Sequence, residues 1–213
     1  MAGSRREFDR ELEAIEAKVV ELFALIGEDV PVATRALLSG NSGVLPVLAE
    51  REQVIDALYR EIEGLAVRAI LLQAPVASDL RFLLSVLRIV PELERSHDLI
   101  MQIASRAGRI RGEDLSPRSR GLVERTGKLT SGMWRETADS WYQRDRTAAS
   151  ALGKQDEEMD ELHASLTAEL AAGGMKLPVT MEMTLVARCY ERLGAHAVNV
   201  ARRVGYLAGP APV

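Results

Sequence analysis

The fold follows from a stretch that the chain carries twice, first as Arg51-Glu52-Gln53-Val54-Ile55-Asp56-Ala57-Leu58-Tyr59 and again, without gaps, as Gln155-Asp156-Glu157-Glu158-Met159-Asp160-Glu161-Leu162-His163. In each copy two acidic residues lie four positions apart, and residues with that spacing share one face of a helix. A second pair of similar stretches follows, Leu93-Glu94-Arg95-Ser96 and Tyr190-Glu191-Arg192-Leu193. The two halves of the chain therefore resemble each other, which indicates a tandem repeat.

Helical periodicity runs along almost the whole chain, and no segment alternates as a strand does. The predicted helix starts are a capping box of Ser4 and Glu7, then Pro46, Ala77, Ser116-Pro117, Asp145 and Pro178. The predicted helix ends are residues 39–43, Gln73, Ala107, Arg144, Ala172 and Leu207. We also predict a kink of the first helix at Gly27 and Pro31, a linker over residues 108–117 and a loose tail over residues 209–213. We therefore predict an all-α fold of two tandem, pseudo-symmetric antiparallel three-helix bundles, residues 1–110 and 111–213.

Composition narrows the class of protein. The chain has 213 residues, 47% of them hydrophobic and 27% charged, which is enough apolar material for a substantial core. A net charge of −4 and an aromatic content of 4% argue against a nucleic-acid binder with a basic surface and stacking platforms. The single cysteine, Cys189, rules out an internal disulfide and is predicted to be a packing residue. Because no signal core or membrane-spanning stretch is evident, we expect a cytoplasmic protein.

The acidic pairs lie in or beside the apolar stripes of their predicted helices. Glu52 occupies a stripe position on the second helix, and Asp156 occupies the matching position on the fifth. Glu94 and Asp98 share a stripe with apolar residues on the third helix. Carboxylates that converge in such a seam repel one another unless cations, protons or a metal compensate them.

Two interpretations of these acids stay open at this point. In the first, they are ordinary helical charges that pair with Arg51, Arg60, Arg95 or Arg192. In the second, they form an oxygen-rich metal site of the kind that helical bundles build from facing carboxylates. Mg, Ca, Mn and Fe accept such ligands, whereas Zn usually takes His or Cys as well.

The histidines suggest a third, enzymatic interpretation. Glu94-x-x-His97 has the spacing of the Glu-x-x-His motif in di-iron carboxylate bundles, and Asp160-x-x-His163 matches that motif less well. The two motifs fall in different halves of the chain. His196 is either a neighbour of the ligands or a residue of the helix seam. Because the sequence contains no phosphate-binding glycine loop, nucleophile elbow or His-Glu-x-x-His motif, only a metal could support catalysis, for example on phosphate esters. We expect a protein that is not an enzyme.

Three segments resemble motifs of the PhoU family, whose members regulate bacterial phosphate transport and signalling. The segments are Gln73-Ala74-Pro75-Val76-Ala77-Ser78-Asp79-Leu80-Arg81, Leu93-Glu94-Arg95-Ser96-His97-Asp98-Leu99 and Glu191-Arg192-Leu193-Gly194-Ala195-His196-Ala197-Val198-Asn199-Val200-Ala201. The family patterns are Q-x-P-V-A-x-D-L-R, L-E-R-I-G-D-L and E-R-I-A-D-H-A-V-N-I-A. The similarity extends over nearly the whole chain.

The resemblance implies a metal-binding role for the E/D-x-x-x-D motifs, with Fe, Mn, Zn or Mg as the ion. The ligands carried over are Glu52, Asp56, Glu94 and Asp98 in the first half and Asp156, Asp160 and Glu191 in the second. His97, which lies outside the family pattern, either adds a nitrogen ligand to the first site or only fills space there. His97 replaces a small residue of the family pattern, and Ala195 replaces an aspartate, so the first site is expected to hold a metal more firmly.

The resemblance also implies a function and partners. Members of the family repress phosphate-starvation signalling by linking the ATPase of the phosphate ABC transporter to a phosphate-sensing histidine kinase. By this resemblance the chain is expected to be a homodimer that reaches the membrane only through its partners and binds no nucleic acid. A metal-free helical adaptor is the alternative.

Overall fold

The computed structural model describes residues 2–110 and 112–209, with side chains from residue 5 onward. In these ranges the chain forms six α-helices and no strand. The helices are α1 Ala2–Ser39, α2 Leu45–Gln73, α3 Ala77–Ser105, α4 Pro117–Gln143, α5 Ala148–Ala171 and α6 Leu177–Leu207. The all-α prediction is confirmed.

Most helix starts follow the predicted proline and cap signals. Pro46, Pro117 and Pro178 each lie in the first turn of a helix, where a missing backbone N–H costs no hydrogen bond. Ser116 caps α4, since its side chain accepts a hydrogen bond from the backbone N–H of Ser119 at 3.0 Å. The repeated use of proline explains why these three boundaries were predictable within one or two residues.

Two predicted helix starts were wrong. α1 begins at Ala2, so Ser4 lies inside the first turn and the predicted capping box does not start the helix. α5 begins at Ala148 instead of Asp145, because Arg144 adopts a left-handed conformation (φ 52°) that ends α4. Asp145 then closes the turn, and its Oδ1 accepts a hydrogen bond from the backbone N–H of Thr147 at 2.7 Å.

The first helix continues through Gly27 and Pro31 without interruption. Its buried stripe runs past the proline, with Ile26, Val30 and Ala33 all at most 1% exposed. Packing of this stripe offsets the backbone hydrogen bond that an interior proline removes. At the other end of the chain, residues 210–213 of the predicted loose tail lie outside the described residues.

The helices pack as two three-helix groups, α1–α3 and α4–α6, which share one core. In the middle, α1, α3, α6 and α4 form a ring in which each helix contacts the next. α2 covers the α1–α3 side, and α5 covers the α4–α6 side. Because the buried side chains form one continuous cluster, the division of the chain at residues 110 and 111 stays a prediction.

A close approach of α1 and α4 depends on Gly127. A Cβ atom at this position would overlap the side chain of Thr34. The Thr34 hydroxyl in turn lies 2.8 Å from the hydroxyl of Tyr190, which is 1% exposed. This hydrogen bond crosses the ring from α1 to α6 and ties the two halves together in the core.

Candidate functional site

The four acids of the first half converge at the groove between α2 and α3. Glu52 and Asp56 extend from α2, and Glu94 and Asp98 extend from α3. Burial raises the pKa of Glu94, and the carboxylates of Asp98, Asp56 and Glu52 raise it further, against an opposing effect of Arg95. We call these four acids the first acidic cluster.

The three acids of the second half converge in the same way between α5 and α6. Burial raises the pKa of Asp156, and the carboxylates of Asp160 and Glu191 raise it further, while Arg202 lowers it. We call Asp156, Asp160 and Glu191 the second acidic cluster. Each predicted set of ligands is therefore brought together on its own half, as the repeated spacing indicated.

Arginines do not neutralise these clusters by ion pairing. Within the described residues, six of the seven acids form no ion pair, and only Glu191 has one, with Arg188 at 2.7 Å. Three of the four arginines that the sequence offered as partners make other contacts. Arg51 pairs with Glu28 and Asp29, Arg95 pairs with Glu92, and Arg60 donates a hydrogen bond to the backbone oxygen of Asp56. Most of the negative charge on the two clusters is thus left uncompensated.

The donor atoms are of the type that a hard cation binds, because the carboxylates of the first acidic cluster supply only oxygen. The positions of the side chains do not yet form a coordination shell. Across the residues with described side chains, no group of three or more His, Cys, Asp or Glu lies close enough together to hold a metal ion. Metal binding would therefore require these carboxylates to move closer to one another, and the ligand set stays a prediction.

His97 lies apart from the acids, in a buried ionic cluster that the sequence did not predict. Its Nε2 is 3.3 Å from Oδ2 of Asp29, and the two side chains are 1% and 0% exposed. The other oxygen of Asp29 binds the guanidinium of Arg51. The sequence signal for this cluster is the position of Asp29, a charged residue in the apolar stripe of α1 between Ile26 and Val30. The role of His97 as an additional ligand stays a prediction, since the structure places its ring against α1.

The second half has a glycine at the corresponding place. Gly194 occupies the repeat position of His97, and a Cβ atom there would come within 3.0 Å of Oδ1 of Asp156 and 3.6 Å of the Met133 methyl group. The second half thus has a glycine beside the Asp156 carboxylate where the first half has a buried histidine beside Asp29. The two acidic clusters therefore differ in their surroundings as well as in the loss of one acid at Ala195.

Two further residues that the sequence singled out, His196 and Cys189, lie where α3 and α6 pack antiparallel to each other. The hydroxyl of Ser96 lies 2.9 Å from Nδ1 of His196, and Nε2 of His196 is 3.6 Å from Glu92. Burial lowers the pKa of His196, so its ring is a neutral seam residue at neutral pH. Cys189 is 4% exposed, and burial raises the pKa of its thiol, which agrees with its predicted packing role.

Comparison with known proteins identifies the family. The PhoU domain matches the chain twice, at residues 19–107 and 123–204. This chain belongs to the PhoU family. The first match runs from within α1 to the end of α3, and the second from within α4 to within α6, so the family domain corresponds to one three-helix group of the fold.

PhoU relatives match over almost the full chain. A phosphate-specific transport system accessory protein PhoU homolog from Pseudomonas putida is 30% identical over 95% of this chain and 80% of its own length. The homolog of the same name from Pseudomonas aeruginosa is also 30% identical, over 95% of this chain and 85% of its own length.

No helix of the described ranges is long and apolar enough to pass through a membrane.

Solved PhoU structures share the fold. The crystal structure of PhoU from Pseudomonas aeruginosa has a TM-score of 0.87 with 29% identity, and the match covers 94% of this chain and 98% of that one. The crystal structure of the phosphate transport system regulatory protein PhoU from Streptococcus pneumoniae has a TM-score of 0.86 with 24% identity, and the match covers 95% of this chain and 97% of that one. The second likeness supports the fold alone.

Proposed function

We propose that this protein regulates phosphate uptake and phosphate-starvation signalling through protein–protein contacts and without catalysis. The observation that carries the proposal is the PhoU match to both halves, together with relatives named phosphate-specific transport system accessory protein PhoU homolog, of which the match covers 80% and 85%. The proposed partners are the ATPase of the phosphate ABC transporter and a phosphate-sensing histidine kinase, which the chain, as a homodimer, meets in the cytoplasm.

Exposed apolar side chains support a role in protein contacts. Leu177, Met181 and Leu185 follow one another at four-residue spacing on α6 and are 71%, 62% and 49% exposed. Leu71 and Leu72, at the end of α2, are 76% and 68% exposed. Apolar side chains grouped in this way on a surface are typical of protein-binding faces.

We further propose that the first acidic cluster binds a divalent cation. The supporting observation is a set of carboxylates that raise the pKa of Glu94 and have no ion-pair partner among the described residues. A bound cation would neutralise this charge and draw α2 and α3 together at Glu52, Asp56, Glu94 and Asp98. The metal-free adaptor is less well supported, because Arg51, Arg60 and Arg95 do not pair with these carboxylates.

Gene deletion tests the regulatory function. Loss of the gene should switch on phosphate-starvation genes in phosphate-rich medium and alter phosphate uptake, and the wild-type gene should restore both. Unchanged expression and uptake in the deletion strain would refute the proposal. Broad screening for phosphate-ester hydrolysis with added Mn or Fe addresses the enzymatic alternative, and robust turnover would replace our proposal with it.

Elemental analysis tests the metal separately. Protein purified without a metal-affinity column is dialysed against Fe, Mn, Zn or Mg, and bound metal is counted per chain. The double variant Glu94→Ala, Asp98→Ala should lose the metal of the first half. The matched control is Glu157→Ala, Glu161→Ala, which removes two exposed acids at the same spacing on α5. Equal metal content in wild type and the Glu94, Asp98 variant would reject the site.

A further inference from the structure

A large groove with a basic lining opens between α3 and α6. Its volume is about 780 Å³, and it lies along the α3–α6 side of the helix ring. Its charged lining consists of Arg88, Glu92 and Arg95 from α3 and of Arg202 and Arg203 from α6. We call this cavity the arginine groove.

The charge of the groove is opposite to that of the whole chain. Four guanidinium groups face one carboxylate, a formal charge of 4 − 1 = +3, whereas the chain carries −4. Arginines gathered in a concave surface focus a positive potential and raise the local concentration of anions. The charge of the groove thus indicates an anionic ligand.

The arginines of the groove have few partners in the protein itself. Arg88 and Arg203 are exposed and make no ion pair or side-chain hydrogen bond with any described residue. Arg202 donates one hydrogen bond to Asn199 at 3.2 Å, and Arg95 lies 3.7 Å from the only carboxylate of the groove. Most guanidinium N–H groups are therefore free to bind a ligand, and an anion would relieve the repulsion among the four cations.

The size and chemistry of the lining narrow the ligand class. Arginine presents a planar fork of donors that matches the oxygens of phosphate groups. A cavity of this volume is in the range that holds a drug-sized ligand, larger than one phosphate group fills. Among the described residues, no aromatic side chain lines it, so these residues offer no platform for a nucleobase.

We propose that the arginine groove binds a triphosphate group, either as free oligophosphate or as part of a nucleotide. Such a group carries enough negative charge to balance the formal +3 of the lining, and its chain of phosphates can reach arginines on both helices. α3 belongs to the first half of the chain and α6 to the second, so the ligand would connect the two halves. The groove adjoins both acidic clusters, since Arg95 lowers the pKa of Glu94 and Arg202 lowers that of Asp156. It shares no residue with the clusters, and the inference does not depend on the proposed regulatory function.

Titration calorimetry with the full-length protein tests this inference. The probes are sodium tripolyphosphate, ATP and inorganic phosphate in a low-salt buffer, with the tripolyphosphate titration repeated at higher salt. We expect tripolyphosphate to bind at least tenfold more tightly than inorganic phosphate, and salt to weaken the binding. A tenfold preference for tripolyphosphate over ATP would identify free oligophosphate as the source, and a tenfold preference for ATP would identify a nucleotide. Equal affinities would support the inference by showing that the triphosphate group alone is recognised.

Three variants separate the groove from general charge effects. Arg88→Gln with Arg203→Gln removes two groove cations that pair with no described residue, and should weaken tripolyphosphate binding at least tenfold. The matched control, Arg10→Gln with Arg35→Gln, removes the same charge from exposed positions of α1 and should leave binding unchanged. Glu92→Gln removes the carboxylate of the groove and should tighten binding several-fold.

Several outcomes would overturn the inference. They are the absence of tripolyphosphate binding at low salt, an equal loss of affinity in the groove and control variants, and an affinity for inorganic phosphate equal to that for tripolyphosphate. Binding to anionic lipid vesicles without binding to tripolyphosphate would instead assign the groove to a membrane surface. Circular dichroism of each variant confirms that a loss of affinity does not reflect unfolding.

Discussion

Replacement of the buried acid Asp29 tests how α1 is held against α2 and α3. Asp29 is fully buried, and its two oxygens contact Arg51 of α2 and His97 of α3. Asp29→Ala removes the carboxylate that both partners share. The Arg51 guanidinium would then keep only its ion pair with Glu28, and the His97 ring would lose the carboxylate beside its Nε2.

The size of the effect follows from burial. Removing one member of a buried ion pair costs about 3–5 kcal/mol of unfolding free energy, because the remaining charge stays buried without compensation. Arg51 is 30% exposed and keeps a 3.2 Å ion pair with Glu28, so part of its charge remains hydrated and paired. We therefore expect Asp29→Ala to lower the unfolding free energy by about 3 kcal/mol, the lower end of that range.

Urea unfolding followed by circular dichroism measures this loss, with linear extrapolation to water. Glu28→Ala is the matched control, since Glu28 contacts the same arginine but is 63% exposed. Its ion pair should contribute at most about 1 kcal/mol. Equal losses in the two variants would refute the argument that burial of Asp29 decides the stability of this cluster.

Three more substitutions probe the core and the first acidic cluster. Gly127→Ala forces a methyl group into Thr34 and should cost about 1–3 kcal/mol. Gly132→Ala on the same helix places its methyl group in open space and should raise the unfolding free energy by up to about 1 kcal/mol. A higher thermal unfolding midpoint for Gly127→Ala than for Gly132→Ala would contradict this account. Tyr190→Phe removes the 2.8 Å hydrogen bond to Thr34 and should cost about 1 kcal/mol, so an unchanged urea midpoint would count against it. Because its surroundings raise the pKa of Glu94 above the ordinary 4.5, folding is penalised once this group ionises. Glu94→Gln should therefore stabilise the protein at pH 7, and the gain should disappear as pH falls toward 4.5; a gain independent of pH would exclude this cause.

The helices were predictable because their signals are local. Apolar periodicity and prolines at first-turn positions depend on neighbours within a few residues, and α2, α4 and α6 begin where these signals indicate. The start of α5 was missed because it depends on the left-handed conformation of Arg144, which no strong local preference announces. Non-glycine residues rarely adopt that conformation.

The candidate site was only partly predictable. Four-residue spacing places Glu52 beside Asp56 on one helix, and the repeat indicated that a second helix would bring further acids. That Arg51 turns toward Asp29 instead of the acidic cluster could not be read from the sequence, because the choice depends on which helix faces which. For the same reason the arginine groove could not be predicted, because its two sides, residues 87–95 and 199–203, lie more than 100 positions apart in the sequence.

The sequence by itself determined that this protein is an all-helical tandem repeat with paired acids on matching helices, since spacing along a helix is a property of the backbone. The tertiary structure decided which charges remain uncompensated. Arg51 is held by a buried aspartate of α1, whereas Arg88 and Arg203 are left exposed in a shared groove. Charge compensation depends on distance in space, and that distance is set by how the two three-helix groups pack around their common core.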